Sequence, residues 1–418
     1  MSDPALKQST YLPTLDGWRA VSIVLVILHH SQIQFCVPIL GSLLQSISAA
    51  GEAGVELFFA ISGLLICSRL LEEEARFGQI SVKSFYLRRC FRILPAAIFY
   101  LLVIAILAAF HIIPLLPVDW FGALFFFRNY AMVFESMHHS PLALHWYTGH
   151  FWSLSMEEHF YLVLPGVLVF FKKTRRWVLL GFVIAVALRR FVVAHVLANH
   201  YQVAFRTDTH VDALFIPAVI ALLLYPMLRN QAARRWIPAW SFPIFLVLEI
   251  VLLFTRIPFF STLQATVIPL LLLSTVLHAG SIPGRVLEMK PVRWMGWISY
   301  SLYLWQQLFF GANFVRSPPR LAALREWPIN LVSLAGVRRL QLLPGGKAFH
   351  STRPQACPRR GEQSRFEEAG TPVPSTFTGN RGITHTVRNP GHRPLPSLGV
   401  AETFVVFRRC VARCIMKL

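Results

Sequence analysis

The chain predicts an all-α, polytopic integral membrane protein of about ten transmembrane helices with one re-entrant or interfacial helix. Three observations predict it. Of 418 residues, 55% are hydrophobic and only 14% are charged, with a mean hydropathy of +0.53. Apolar stretches of spanning length recur along the chain. The basic residues gather in short segments between those stretches, as cytoplasmic loops do.

The spans are expected near residues 17–36, 53–71, 92–114, 151–171, 177–199, 209–228, 239–257, 261–280 and 294–316, and a tenth begins near Leu321. The first follows a polar leader, Met1–Leu15, and is long enough to be retained rather than cleaved as a signal. Segment 118–134 is also apolar, but Arg128, Asn129 and Tyr130 interrupt it. Four basic clusters decide whether it crosses: Arg69 to Arg92, Lys172 to Arg176, Arg229 to Arg235, and Arg285 to Arg293. If 118–134 does not cross, all four fall on the side of the N-terminus. If it does, every cluster after the first changes side and the positive-inside tendency fails three times. Segment 118–134 is therefore expected to be re-entrant or interfacial, and the N-terminus cytoplasmic. A helix at membrane depth that does not cross is tolerated where protein or a cavity surrounds it.

The net charge of +20 has two sources. Residues 1–336 carry 26 Lys+Arg against 16 Asp+Glu, whereas residues 337–418 carry 14 against 4. A fifth of the chain thus holds half of the net charge, which divides it into a membrane-embedded region, 1–336, and a tail, 337–418, that is rich in Arg and Pro and lacks a helical period. The loop positions of the basic residues in the first region fit a bilayer, not a nucleic acid. Six scattered cysteines (Cys36, Cys67, Cys90, Cys357, Cys410 and Cys414) contain no CxxC pair and sit in no Cys/His cluster. Neither a disulfide framework nor a metal site is expected.

Ionisable residues inside the apolar segments are the candidates for function, because burying them in a membrane is costly. Arg19 and His30 are eleven residues apart in the first span. On a helix that spacing places them within roughly 20° of one face and about 16 Å apart along the axis. An arginine near one surface is thereby aligned with a titratable imidazole near the midplane. Arg88, Arg89 and Arg92 stand at the start of the third span with i,i+3 and i,i+4 spacing, so their guanidinium groups can converge. Convergent guanidiniums suit phosphate, although basic residues at a membrane edge also anchor anionic lipid. On the opposite side, Glu157 and Glu158 enter a span behind Trp152, Asp208 and Asp212 flank the start of another, and Glu56 precedes Ser62-Gly63. Carboxylates interleaved with aromatic rings can hydrogen-bond sugar hydroxyls and stack on sugar faces. Favourable charge in a first helical turn is the simpler use of such residues, but the 157/158 pair exceeds it by continuing into the membrane.

These segments resemble the acyltransferase-3 family of polytopic membrane proteins, whose members acylate cell-surface polysaccharides and related molecules. The matching text is Leu15-Asp16-Gly17-Trp18-Arg19-Ala20 with the R-x10-H pair Arg19/His30, Gly54-Val55-Glu56-Leu57-Phe58-Phe59-Ala60-Ile61-Ser62-Gly63, and the RxxR pair Arg89/Arg92. It continues through Trp152-Ser153-Leu154-Ser155-Met156-Glu157-Glu158, Thr207-Asp208-Thr209-His210-Val211-Asp212, and Ser299-Tyr300-Ser301-Leu302-Tyr303-Leu304-Trp305-Gln306-Gln307. The resemblance covers residues 11 to about 310. Two departures are visible: His210 stands where relatives often have Arg, and Gln306 where many have His. After Gly336 the family pattern stops. Codons can be chosen for Leu340–Gln355 so that the +1 frame reads FSYYLVEKPFIRLGHK, the family's closing motif. A frameshift within or near the last span is therefore inferred.

The resemblance implies an inner-membrane O-acyltransferase that moves an acyl group, most simply acetyl, from cytoplasmic acyl-CoA to a hydroxyl of a cell-surface saccharide such as a lipopolysaccharide or exopolysaccharide. No tightly bound cofactor or metal is implied; acyl-CoA is a co-substrate. His30 and Glu157 are assigned to catalysis, with His30 as base or proton relay and Glu157 coupled to it. Arg19, Arg89 and Arg92 are assigned to the donor's phosphates, and Glu56, Trp152, Asp208 and Asp212 to the acceptor. A transporter or flippase of a saccharide or lipid-linked substrate would also carry charges in its spans, but no convincing repeat relates the two halves of this chain.

Overall fold

The computed structural model describes residues 12–31, 51–137, 145–195, 200–229, 232–255, 260–310 and 329. The chain divides into two units, Met1–Arg353 and Pro354–Leu418, and every described residue belongs to the first. The expected tenth span, the boundary at 336 and the tail lie outside the described residues.

Within them, regular structure is entirely helical. Each of the first nine expected spans coincides with a helix: α1 (Pro13–Ser31), α2 (Glu52–Phe77), α3 (Val82–Ala109), then α7 (Phe151–Phe170), α8 (Arg175–His195), α11 (Asp212–Arg229), α13 (Ser241–Thr255), α14 (Phe260–Leu277) and α16 (Lys290–Phe309). Between them lie the shorter α4 (Pro117–Leu124), α5 (Arg128–Met137), α6 (Trp146–Gly149), α9 (His200–Phe205), α10 (Thr207–His210), α12 (Ala233–Trp236) and α15 (Ile282–Leu287). Three of the described helices, α2, α3 and α8, are long and apolar enough to cross a membrane by length and composition. Large apolar side chains line the outer faces, including Phe91, Leu102 and Ile106 on α3, Ile184 and Leu188 on α8, and Val247 and Val251 on α13. Soluble proteins rarely leave patches of that kind open to water.

Segment 118–134 is not one helix. It breaks at Phe125–Phe127 into α4 and α5, about 12 Å and 15 Å long at 1.5 Å per residue. The break is a left-handed cap: Phe126 has φ 58°, its N–H donates to the Ala123 carbonyl, and the Phe127 N–H reaches back to that of Gly122 at 2.7 Å. Glycine normally takes this position. Two of the polar residues that interrupt the segment are held by protein, Asn129 by donating from Nδ2 to Thr207 Oγ1 at 2.9 Å. Arg128, fully buried, pairs with Asp119 at 3.1 Å and donates to Thr148 Oγ1 at 3.1 Å. His145 Nδ1 meets the other Asp119 oxygen at 2.8 Å.

Close helix packing uses small residues, as membrane bundles do. A Cβ at Gly63 of α2 would collide with the Leu214 carbonyl on α11, and one at Gly296 of α16 with that of Asp16 on α1. The α1–α16 contact is further fixed by Asp16, which accepts from Trp297 Nε1 at 2.8 Å, and the Thr14 hydroxyl ties α1 to the end of α15 by donating to Glu288 at 2.8 Å. One buried apolar cluster joins α2, α7, α8, α11 and α14. A second joins α1, α3, the start of α7 and α16.

Candidate active site

A cavity opens where α1, α2, α3, α7 and α16 face one another, with about 840 Å³ of empty volume counted out to its open side. Arg19, Arg89 and Arg92 line it together with Glu157, Glu158, Ser62 and Tyr161. Apolar walls come from Val55, Phe58, Phe59, Ile93 and Leu154, and Ser299, Tyr300 and Tyr303 close the α16 side.

Arg89 and Arg92 share the cavity, as their i,i+3 spacing predicts, but deeper than expected, whereas Arg88 does not join them and pairs with Glu73 at 3.0 Å. The helix that carries Arg89 and Arg92 starts at Val82, with Ser81 as its N-cap accepting from the Ser84 N–H. Arg92 is therefore ten residues inside α3, about 15 Å from its first turn. Glu157 lies six residues inside α7, which runs from Phe151. The two depths bring the groups to one cavity. Arg19 is tethered to Asp16 at 3.0 Å, and the Arg89 guanidinium lies 4.9 Å from the Tyr161 ring centroid, a cation–π contact. Arg89 and Arg92 form no ion pair among the described residues, which leaves their donors available to an anion in the cavity. Arg69, further along α2, lies within electrostatic range of Arg19 and Arg89.

Glu157 accepts hydrogen bonds from the Ser62 hydroxyl and from the Tyr161 hydroxyl. The carboxylate, expected to couple to His30, is placed in the arginine cavity, which His30 does not line. Neither Ser62 nor Tyr161 was assigned a role from sequence. Tyr161 stands at i+4 from Glu157, a spacing that places two side chains on one helix face, so that signal was available. Ser62 is contributed by a different helix and carries no such signal.

His30 is on α1, about 16 Å along the axis from Arg19, and does not line the cavity. Its Nδ1 lies 2.9 Å from the Val26 carbonyl, and its ring meets Trp146 edge-on at 5.5 Å. A carbonyl can only accept, so Nδ1 carries the proton and Nε2 is left with its lone pair. That tautomer is the one a general base requires. His29 makes an edge contact with the His30 ring at 4.9 Å and packs on Gly51.

The four acceptor candidates separate. Glu56 and Trp152 meet at His210, whose Nε2 is 2.5 Å from Glu56 and whose ring is 6.1 Å from that of Trp152. Asp212 is not free to meet a substrate. It is fully buried, paired with Arg190, and accepts from Thr262 at 3.2 Å. Arg190, which sequence reasoning passed over, is what claims it. Asp208 is partly exposed and held by a fork from Arg206, with both bonds at 2.8 Å. Arg189 adds a third bond at 3.2 Å. Burial opposes the charge on Asp208, but the two arginines hold its carboxyl below the usual carboxylate range. Among the described residues no cluster of His, Cys, Asp or Glu could hold a metal ion.

A profile of the family described as an acyltransferase domain matches residues 12–334, which takes in α1 through α16 and every residue of the cavity. The chain belongs to the acyltransferase-3 family. A protein of Staphylococcus aureus (strain COL), named an inferred O-acetyltransferase, is 30% identical over 339 residues, covering 74% of this chain and 52% of that protein. The O-acetyltransferase OatA of Staphylococcus aureus (strain NCTC 8325 / PS 47) is 28% identical over 316 residues, covering 71% of this chain and 50% of OatA. This chain therefore spans about half the length of the curated relatives it matches. No solved structure matches it.

Proposed function

We propose that this chain is a membrane O-acyltransferase, most simply an O-acetyltransferase, which takes its acyl group from cytoplasmic acyl-CoA and delivers it to a saccharide hydroxyl on the other face of the inner membrane. The observation that carries this reading is the cavity that Arg19, Arg89 and Arg92 line together, in which Arg19 is held by Asp16 while Arg89 and Arg92 form no ion pair among the described residues. Guanidinium groups so placed suit the phosphates of a nucleotide-bearing donor through bidentate bonds. The separation of Arg19 from His30 along α1 suits the long flexible arm between those phosphates and the thioester. The names of the relatives support acetyl as the group transferred.

In this reading His30 Nε2 takes the proton of the acceptor hydroxyl as its oxygen attacks the thioester carbon. The carbon–sulfur bond then breaks, and the CoA thiolate leaves and recovers a proton. Glu157, held by Ser62 and Tyr161, balances the arginine charge while the cavity is empty and orients the donor when it is filled. Holding both substrates in place supplies much of the rate of such a transfer.

The test is transfer of labelled acetyl from acetyl-CoA in membrane vesicles, comparing His30→Ala with His29→Ala at matched protein levels. His30→Ala should reduce transfer by about 10²-fold or more, the usual size of a lost general base, while His29→Ala stays near the parent. Equal transfer by His30→Ala and the parent would remove the assignment and favour a transporter.

A further inference from the structure

The turn α10 delivers the chain into α11 and places His210 between two acceptors. Its Nδ1 lies 2.7 Å from the Ala204 carbonyl, and its Nε2 lies 2.5 Å from Glu56 Oε1. A carbonyl oxygen only accepts a hydrogen bond, so Nδ1 carries a proton. An ionised carboxylate also only accepts, and a neutral imidazole has a single proton to give. The pair thus holds one proton more than a neutral histidine beside an ionised glutamate. Imidazole is the stronger base by about two pKa units in the reference series, which places that proton on the ring.

Among the described residues, the charged neighbours of this pair have bonding partners of their own. Arg190 of α8 and Asp212 of α11 are within electrostatic range of His210, but they pair with each other. Arg189 is occupied by Asp208, and His159 of α7 is bonded to Thr207. Glu249 of α13 lies within electrostatic range of Glu56 and is bonded to Gln264 at 2.7 Å. The remaining neighbours are aromatic. Phe59 and Trp152 contact the imidazole at 6.2 and 6.1 Å, and Phe59 also lines the arginine cavity. Phe59 is therefore shared between the arginine cavity and the Glu56–His210 pair.

Building on the O-acyltransferase reading, we infer that His210 is a positioning residue: as an imidazolium clamped between Ala204 and Glu56, it holds the Glu56 carboxylate ionised and aimed beside Phe59 and Trp152, where it orients an acceptor hydroxyl. Glu56 retains 15% of its side-chain surface, so it is reachable by a ligand. Because the clamp is an imidazolium, it is lost as the pH rises, whereas an arginine at the same place would not titrate.

The test uses the full chain in nanodiscs with ¹⁵N-labelled histidine, the His210 signals being assigned by their loss in His210→Arg. Both ring nitrogens should be protonated at neutral pH in the parent, and Glu56→Gln should return the ring to its neutral form. Acetyl transfer should show an alkaline limb in the parent that His210→Arg removes. His210→Asn should raise the acceptor KM by about tenfold with little change in kcat, the scale of one charge-assisted hydrogen bond. A neutral His210 ring in the parent, or the same alkaline limb in His210→Arg, would overturn the inference while acetyl transfer persists. Absence of acetyl transfer in the parent would instead fail the O-acyltransferase reading, and the ring signals would still report the proton.

Discussion

Arg92 and Arg190 are both guanidinium groups carried inside the helical body, and their surroundings could hardly differ more. Arg190 on α8 is spent on its neighbours: it donates to the Thr209 carbonyl at 2.6 Å, to Ser261 and Thr262 of α14, and to Asp212. Arg92 on α3 faces a cavity shared with two more arginines and two carboxylates, with no ion pair among the described residues. The same side chain is a structural clasp in one place and stands beside a cavity without an ion pair in the other. Burial alone does not separate the two uses. The count of satisfied donors does.

The largest expected effect lies at the clasp. Removing one partner of a buried ion pair leaves the other uncompensated, at a cost of about 3–5 kcal/mol. Arg190→Met should lower the thermal midpoint of the detergent-solubilised protein sharply and reduce its monodisperse fraction. The double variant Arg190→Met with Asp212→Leu should recover much of the loss, because replacing both charges removes the stranded one. A single variant as stable as the parent would erase the distinction between the two regions.

At the cavity the expected effect is on activity and not on folding. Arg89→Ala and Arg92→Ala should each raise the KM for acetyl-CoA by about tenfold or more, while the thermal midpoint stays near that of the parent. Lysine at either position should restore only part of the donor affinity, since a point charge cannot reproduce the planar fork. A loss of stability as large as that of Arg190→Met would mean that these arginines are structural as well.

Asp208 sharpens the comparison from the small end, being an ion pair that is neither buried nor open. Its folded-state pKa is depressed by Arg206 and Arg189, against the cost of burial. The pairing therefore stabilises the protein above the unfolded carboxylate value of about 3.9 and fades as the pH falls through the lower folded value. Asp208→Asn should cost under ~1 kcal/mol at neutral pH, the range of partly exposed pairs. Thermal midpoints of variant and parent should converge in acid. A gap that widened in acid would contradict the assigned direction.

Much of this architecture is legible in the chain because hydropathy is a local property. Nine expected spans have helices, and the segment 118–134, which Arg128, Asn129 and Tyr130 interrupt as text, is broken just before those residues. The convergence of Arg89 and Arg92 is likewise local, since it needs only helical spacing. What sequence misplaced was depth. The apolar run in α3 begins near Arg92, but Ser81 caps the helix eleven residues earlier, which places the arginines inside the helix beside Glu157.

The sequence by itself therefore determined that the chain is helical, that it is apolar on the faces of its spans, and that a few charged residues inside them need a reason to exist. Only the tertiary structure decided which charges are satisfied. Asp208, Asp212 and Glu56 look alike as text, yet one is forked at a partly exposed edge, one is consumed by Arg190, and one is held by His210. The physical reason is that desolvation and pairing depend on what faces a side chain from other helices. For Asp212 the partner is 22 positions away, and for Glu56 it is 154 positions away, distances over which no local pattern in the sequence carries information.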